Sequence, residues 1–359
     1  MDAKQDYRSY TRRKILFILA CVVGVIFALG ISLSIGSEGS SFIDNFFDAF
    51  SHIFGHLTGV EYEPYSDPWL DDIVIWEHRL PRTTYAIVAG AALGVSGAVM
   101  QSVMHNPLAD PYTTGISSGA MFGVSVSMIL GINLIASTMI KDMGVMMNAF
   151  IFSLIPMIMM VVLSPKTRSN PTSLILIGVA VTYLFNSVNM FLMVITDEET
   201  MSNVYIWLVG SLNHASWGML PMAVIVTVLG TTVVMFLSSK LNILALEDSN
   251  AKSLGINADN VRFACLVVIS IMVATITCYA GIIGFVGLVC PHIVRTIIDA
   301  NNKYLIPASA VFGGLFLLSA DILGRLLTPN GMMPVGVVMS FVGAPIFLYL
   351  LIRRNSGVW

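Results

Sequence analysis

Four polar residues, Asp44, Asp48, His52 and His56, recur every four positions, a spacing that puts them on one helical face. Carboxylates and imidazoles so arranged could hold a divalent metal. The same residues also read as the polar side of an amphipathic helix, because Ile43, Phe46, Phe47, Phe50, Phe54 and Leu57 occupy the other side. That second reading, a solvated face on a helix lying on a membrane, is preferred. The surrounding stretch, Gly36 to Glu77, holds nine acids and neither Lys nor Arg. Arg79 and Arg82 follow, three residues apart around a proline in "HRLPRT"; such a pair can grip carboxylates or anchor a helix end at an interface. Asp321 and Arg325, four apart, share a helix face and partly neutralise each other. The four cysteines fall in apolar runs without C-x-x-C spacing, and the 22 methionines keep no fixed interval; both read as buried filler rather than metal ligands. No G-x-x-x-x-G-K-[ST] phosphate loop occurs, so ATP is not split here by that route.

What must position these groups is a membrane bundle. Only 11% of the 359 residues are charged, 56% are hydrophobic, and the mean hydropathy is +0.83, against about 25% charged residues in a soluble domain. Ile15 to Ile35 runs 21 residues without a charge, about one hydrocarbon thickness as a helix. Arg12, Arg13 and Lys14 precede it as they would a secretory signal, but the apolar run exceeds a signal core and no cleavage pattern follows; it is a retained anchor. Further spans are expected near 82–104, 115–131, 145–163, 172–195, 217–238, 260–281, 284–298, 305–325 and 334–352, the one at 284–298 shortened and interrupted by Pro291. With ten spans, 14 of the 18 basic residues fall on the side of the termini and four (Arg79, Arg82, Lys141, Arg325) on the other, which makes the terminal side cytoplasmic.

Gly90 and Gly94, and after them Gly115, Gly119 and Gly123, repeat every four residues, the spacing that lets helix backbones approach closely in lipid. Between the two sets, "NPLADP" cannot be continuous helix, because Pro107 and Pro111 each remove a donor; the expectation is a tight cytoplasmic turn. The longest internal loop, Leu241 to Asn257, reads as short helical pieces in which Asp248 or Ser249 caps a turn, Leu254 offers an apolar contact and Gly255 suits the exit.

The motifs "RLPRTTYAIVAGAALGVSGAVMQ", "NPLADPYTTGISSGA", "GFVGLVCPHIVR", "PASAVFGGLFLLSADILGR" and "PVGVVMSFVGAPIFLYLL" appear in the order seen in FecCD-like permeases, and the chain resembles these subunits of ABC importers for iron(III)-siderophores, haem and cobalamin. The likeness runs from about Arg79 to Arg354; segment 36–78 has no obvious counterpart, and Glu247 stands where the family usually has Gly. The resemblance implies an all-α, polytopic, type II importer permease of about ten helices, forming one domain over 1–359: first span 14–36, extracytoplasmic segment 36–80, family-like core 81–354. It implies a dimer with a second permease copy, or with a paralogue, in the cytoplasmic membrane among its lipids. Two ATPase subunits, holding the ATP and Mg, would dock on 239–260 through Leu244, Leu246, Asp248, Ala251, Leu254 and Gly255. A substrate-binding protein would meet Arg79, Arg82 and Arg325 outside, and Thr172 and Ser173 would narrow the cytoplasmic gate. No cofactor on this chain and no nucleic-acid partner is implied. The competing readings are an ion-coupled transporter or channel working alone, and a membrane scaffold.

Overall fold

The computed structural model describes residues 3–35, 42–60, 62–135, 143–163, 171–245, 248–328 and 333–352. Each long apolar run of the sequence becomes a helix. Among the described residues seven helices are long and apolar enough to cross a membrane, and three shorter apolar ones accompany them. In chain order the main elements are α1 (Ala3–Ser34), α4 (Leu80–Met104), α5 (Ile116–Leu130), α6 (Met143–Leu163), α7 (Pro171–Ile195), α9 (Leu220–Leu244), α11 (Ala258–Ala280), α12 (Val286–Ile298), α13 (Asn302–Leu327) and α14 (Val335–Ile352). Four short helices sit at their ends: α2 (Phe42–Thr58), α3 (Asp67–Ile73), α8 (Glu198–Leu208) and α10 (Asp248–Ser253). The face from which α1 starts and at which α14 ends is called the terminal face, the opposite one the distal face.

Small residues set the packing of the bundle centre. A Cβ on Gly90 would strike the Gly313 carbonyl oxygen of α13, and one on Gly94 the Ser309 carbonyl oxygen. α4 therefore meets α13 backbone to backbone. Gly97, one turn further along α4, lies in the same way on the Gly287 carbonyl of α12. In the next pair, Gly119 and Gly123 of α5 face Phe152 and Asn148 of α6, and Gly115, at φ +92°, sits against Pro156 of α6 and Thr182 of α7. A Cβ at Gly119 would already stand 2.6 Å from the Phe152 carbonyl oxygen and 2.8 Å from Pro156 Cγ. Gly119→Leu is expected to destabilise the protein by about 1–3 kcal/mol through overpacking, read as a lowered melting temperature beside reduced uptake in vesicles. Parental melting and uptake would refute the close contact.

The stretch "NPLADP" is not a tight turn at the helix ends, as its prolines suggest, and that expectation is corrected. From His105 the chain climbs back along α4. Asp110 and Pro111 reach Gly287, where an added Cβ would lie 3.2 Å from each and 3.3 Å from the Leu93 carbonyl oxygen, and Leu93 is midway along α4. Asp110 then caps a 3-10 turn, Pro111–Thr114, by accepting the Tyr112 N–H at 2.8 Å. The Tyr112 hydroxyl meets Thr277 Oγ1 of α11 at 3.2 Å. α5 thus starts deep in the bundle and has 15 residues, about 22 Å of helix.

α12 mirrors this arrangement. Residues 281–285 are non-helical, and the 13 residues that follow give about 20 Å, short of a hydrocarbon thickness of about 30 Å. Non-helical backbone at such depth is tolerated only inside protein. Here Gly281, Ile283, Asp110 and Pro111 are buried accordingly. The shortening expected around Pro291 is present, with Pro291 itself inside the helix.

Candidate functional site

The distal face is organised by one buried carboxylate. Asp321 of α13 has a side chain 1% exposed. Arg82 of α4 donates Nε at 3.0 Å and Nη2 at 2.8 Å to its Oδ1. Arg325, one turn along α13, brings Nε to 3.1 Å of Oδ2. Arg325 also donates to the carbonyl oxygen of Ser32 at 2.9 Å and to the Ser32 hydroxyl, and Arg79 donates to the Leu33 carbonyl oxygen at 2.9 Å. Within this cluster two guanidinium groups share one carboxylate. The neutralisation of Asp321 by Arg325 follows from their spacing. The stronger, two-pronged partner is Arg82, 239 residues away, and no local pattern announces it.

A π-turn, Val74–Arg79, joins α3 to α4 in a continuous helix from Asp67 to Met104. Ser66 caps its start by accepting the Trp69 N–H at 3.3 Å. The fourth contributor is the loop after α8, whose Asn213 accepts from Arg82 Nη1 at 2.7 Å; nothing in the sequence singled it out. α8 itself starts on Asp197, which accepts the Thr200 N–H at 2.9 Å, and these bonds hold that carboxyl below the usual range. The loop is fixed by backbone contacts as well: Ser211 N–H donates to the Ala280 carbonyl at 2.8 Å and Gly336 N–H to the Gly210 carbonyl at 3.1 Å. The ends of α8 and α11 and the start of α14 are therefore tied together at this loop.

Beneath α8 lies a cavity of about 700 Å³, lined among others by Met128, Met146, Trp207, His214, Cys278 and Tyr279, with no Asp, Glu, Lys or Arg among the described residues of its lining. Such a wall suits a bulky neutral or weakly polar group.

The spaced histidines of α2 turn onto the protein. His56 Nδ1 lies 3.1 Å and His52 Nδ1 3.7 Å from the two oxygens of Asp72. Among the described residues no group of three or more His, Cys, Asp or Glu is arranged to hold a metal ion.

On the terminal face the segment after α9 folds into α10 and closes on Gly255. There φ is +76°, and Ile256 N–H reaches back to the Ala251 carbonyl at 3.0 Å, Gly255 N–H to that of Lys252; this is a glycine-terminated helix end. Leu244 and Ala251 are fully buried within the segment, whereas Leu254 is 61% exposed. Asp248 opens α10, and Leu246 lies outside the described residues. The base of the segment is tied to two spans. Asn242 donates to Asn301 Oδ1 at 3.0 Å and accepts the Asn302 N–H at 2.8 Å, while Ser102 of α4 bonds Asn302 at 2.9 Å. Thr172 and Ser173 stand in the first turn of α7 on this face, Thr172 exposed and Ser173 half-buried.

The family model of the FecCD transport family matches residues 17–353. An archaeal chain from Methanocaldococcus jannaschii, provisionally named an ABC transporter permease protein, is 35% identical over 363 residues, covering all of both chains. That match extends across segment 36–78. The hemin transport system permease protein of Yersinia pestis is 36% identical over 284 residues, 79% of this chain and 84% of that one. A solved inward-facing ABC transporter, provisionally assigned to the metal-chelate type, superposes with a TM-score of 0.80 at 28% identity, over 94% of this chain and 99% of that one.

Proposed function

The chain belongs to the FecCD transport family, and from that membership we propose that it carries an iron(III)-siderophore or a related metal chelate, such as haem or cobalamin, into the cytoplasm. It is a multi-pass permease subunit and not itself an enzyme; ATP hydrolysis belongs to a separate subunit. The observation that carries the cargo reading is the agreement of fold over 94% of the chain with a transporter assigned to the metal-chelate type, beside 36% identity to a hemin permease. The cavity beneath α8, lined among the described residues by thioether, aromatic and neutral polar groups, suits a bulky complex of this kind.

In the proposed assembly two permease copies, or a copy and a paralogue, stand in the cytoplasmic membrane with both termini inside. The placement of 14 of 18 basic residues on the terminal side supports that orientation. The ATPases dock on 239–260, where an exposed leucine at 254 in a polar turn has the character of an interface residue. The binding protein docks on the distal face, where Arg79, Arg82 and Arg325 gather around Asp321. Since Arg82 and Arg325 are engaged with that carboxylate, their role is to set the field of the mouth, and Arg79 beside them adds to it. Thr172 and Ser173 narrow the inner gate.

Co-purification tests the reading. The chain is expected to bring down an ABC ATPase whose hydrolysis rises when loaded binding protein is added. Leu254→Asp is expected to lose the ATPase or to abolish the stimulation, with uptake falling at least tenfold. Undiminished stimulation and uptake in that variant would overturn the docking site, and absence of any associated ATPase would overturn the assembly.

A further inference from the structure

α2 is held to the rest of the protein by two of its three flanks. Ala49 is fully buried and clusters with Leu33 of α1 and Ile75 of the π-turn, with Ile53 beside them; the Phe46 ring lies over Gly30 of α1. A second flank, His52 and His56, faces Asp72 of α3. The third flank is Phe47, Phe50, Phe54 and Leu57, whose exposures run from 45% to 71%. These four fall on one stripe along the helix, and Asp48 and Ser51, also exposed, border it on the far side. Three exposed phenylalanines and a leucine in one continuous patch require a partner.

The surroundings say which. α1 is a peripheral span, its outer residues Ile26 and Phe27 facing away from the protein, and α2 begins eight residues after α1 ends. The bare flank of α2 thus continues the lipid-facing side of α1. Trp76 stacks on His56 with ring centroids 4.0 Å apart and packs against Trp217 at 5.2 Å; the Trp217 N–H donates to the Trp76 carbonyl at 2.8 Å. Paired tryptophans of this kind collect where a bilayer meets water, which puts α2 at that level.

We propose that α2 is an interfacial helix that sinks Phe47, Phe50, Phe54 and Leu57 into the lipid leaflet at the distal face. Its partner is the membrane surface itself. Segment 36–77 has no Lys or Arg, so the attachment rests on apolar burial and not on anionic headgroups. The sequence pattern already joined Phe46 to the apolar side of this helix; the structure divides that side, giving Phe46, Ala49 and Ile53 to the protein and the other four to lipid.

The test uses the full chain in phosphatidylcholine vesicles, with nitroxide labels at Phe47→Cys and Phe54→Cys, and at Asp48→Cys and Ser51→Cys on the polar flank. All four native cysteines are buried, and the unsubstituted protein supplies the background. Labels at 47 and 54 are expected to collide preferentially with oxygen, and those at 48 and 51 with a water-soluble nickel chelate, so that the ratio inverts across the helix. Adding phosphatidylglycerol is expected to leave it unchanged. Nickel-favoured collision at 47 and 54 would overturn the proposal by showing a watery face. Shielding of both from either reagent would overturn it equally, by showing a protein partner such as a second copy, and a requirement for anionic lipid would overturn the apolar mode of attachment.

Discussion

Gly97→Ala is expected to abolish a stable, transport-competent permease although it adds a single methyl group. The Cβ would fall on the carbonyl oxygen of Gly287, which belongs to the backbone of α12 and cannot rotate aside as a side chain would. Overpacking ordinarily costs about 1–3 kcal/mol, and an obstacle of this kind belongs at or above the top of that range. The same contact zone holds Gln101, whose Nε2 donates to the Leu288 carbonyl at 3.1 Å, and the returning Asp110. Displacing α12 would therefore disturb both segments of non-helical backbone inside the bundle. Gly218→Ala is the matched control, since nothing lies within 4 Å of a Cβ there. Thermal melting of the purified protein and uptake in vesicles are the measurements; a Gly97→Ala protein that melts and transports like the Gly218→Ala control would show that α4 and α12 do not meet in this way.

Asp321→Ala is expected to cost a comparable amount for an electrostatic reason. The carboxylate is the common partner of Arg82 and Arg325, and removing it leaves two guanidinium groups facing each other in a largely buried site. Breaking a buried pair from one side costs about 3–5 kcal/mol, because the remaining charge has lost both water and partner. The asymmetry provides a sharper test than the single variant. Asp321→Asn combined with Arg82→Gln removes one charge of each sign, so the double variant is expected to melt above Asp321→Asn alone. Additive losses across that cycle would mean that the two side chains do not interact. The result also bears on the proposed docking: Arg82→Glu would place a second acid beside Asp321, so Arg79→Glu is the cleaner probe of the proposed binding-protein surface.

The sequence by itself determined where the apolar helices of the bundle lie, because an uninterrupted apolar run is a local property and lipid admits few ways to satisfy the backbone within it; it did not show that α5 and α12 start inside the bundle. The same locality holds for the capping of α10 at Gly255, where a glycine after a short polar helix leaves little choice. It also disclosed the close-packing glycines, whose four-residue interval is a property of one helix.

What it did not disclose are the partners those residues meet. The four-residue interval of Gly90 and Gly94 does not say that α13 lies opposite, and Arg82 carries no sign of Asp321, 239 residues on. The prolines of "NPLADP" forbade a helix there without saying that the chain would climb back toward the middle of α4. Nor did any residue type announce the π-turn at Val74–Arg79, which carries Trp76 and leads directly into the first turn of α4 with Arg82. Each of these was decided by tertiary structure, for one physical reason. A buried charge, a bare carbonyl or an unpaired stretch of backbone has to be satisfied by whatever the folded chain brings beside it, and that neighbour comes from distant sequence.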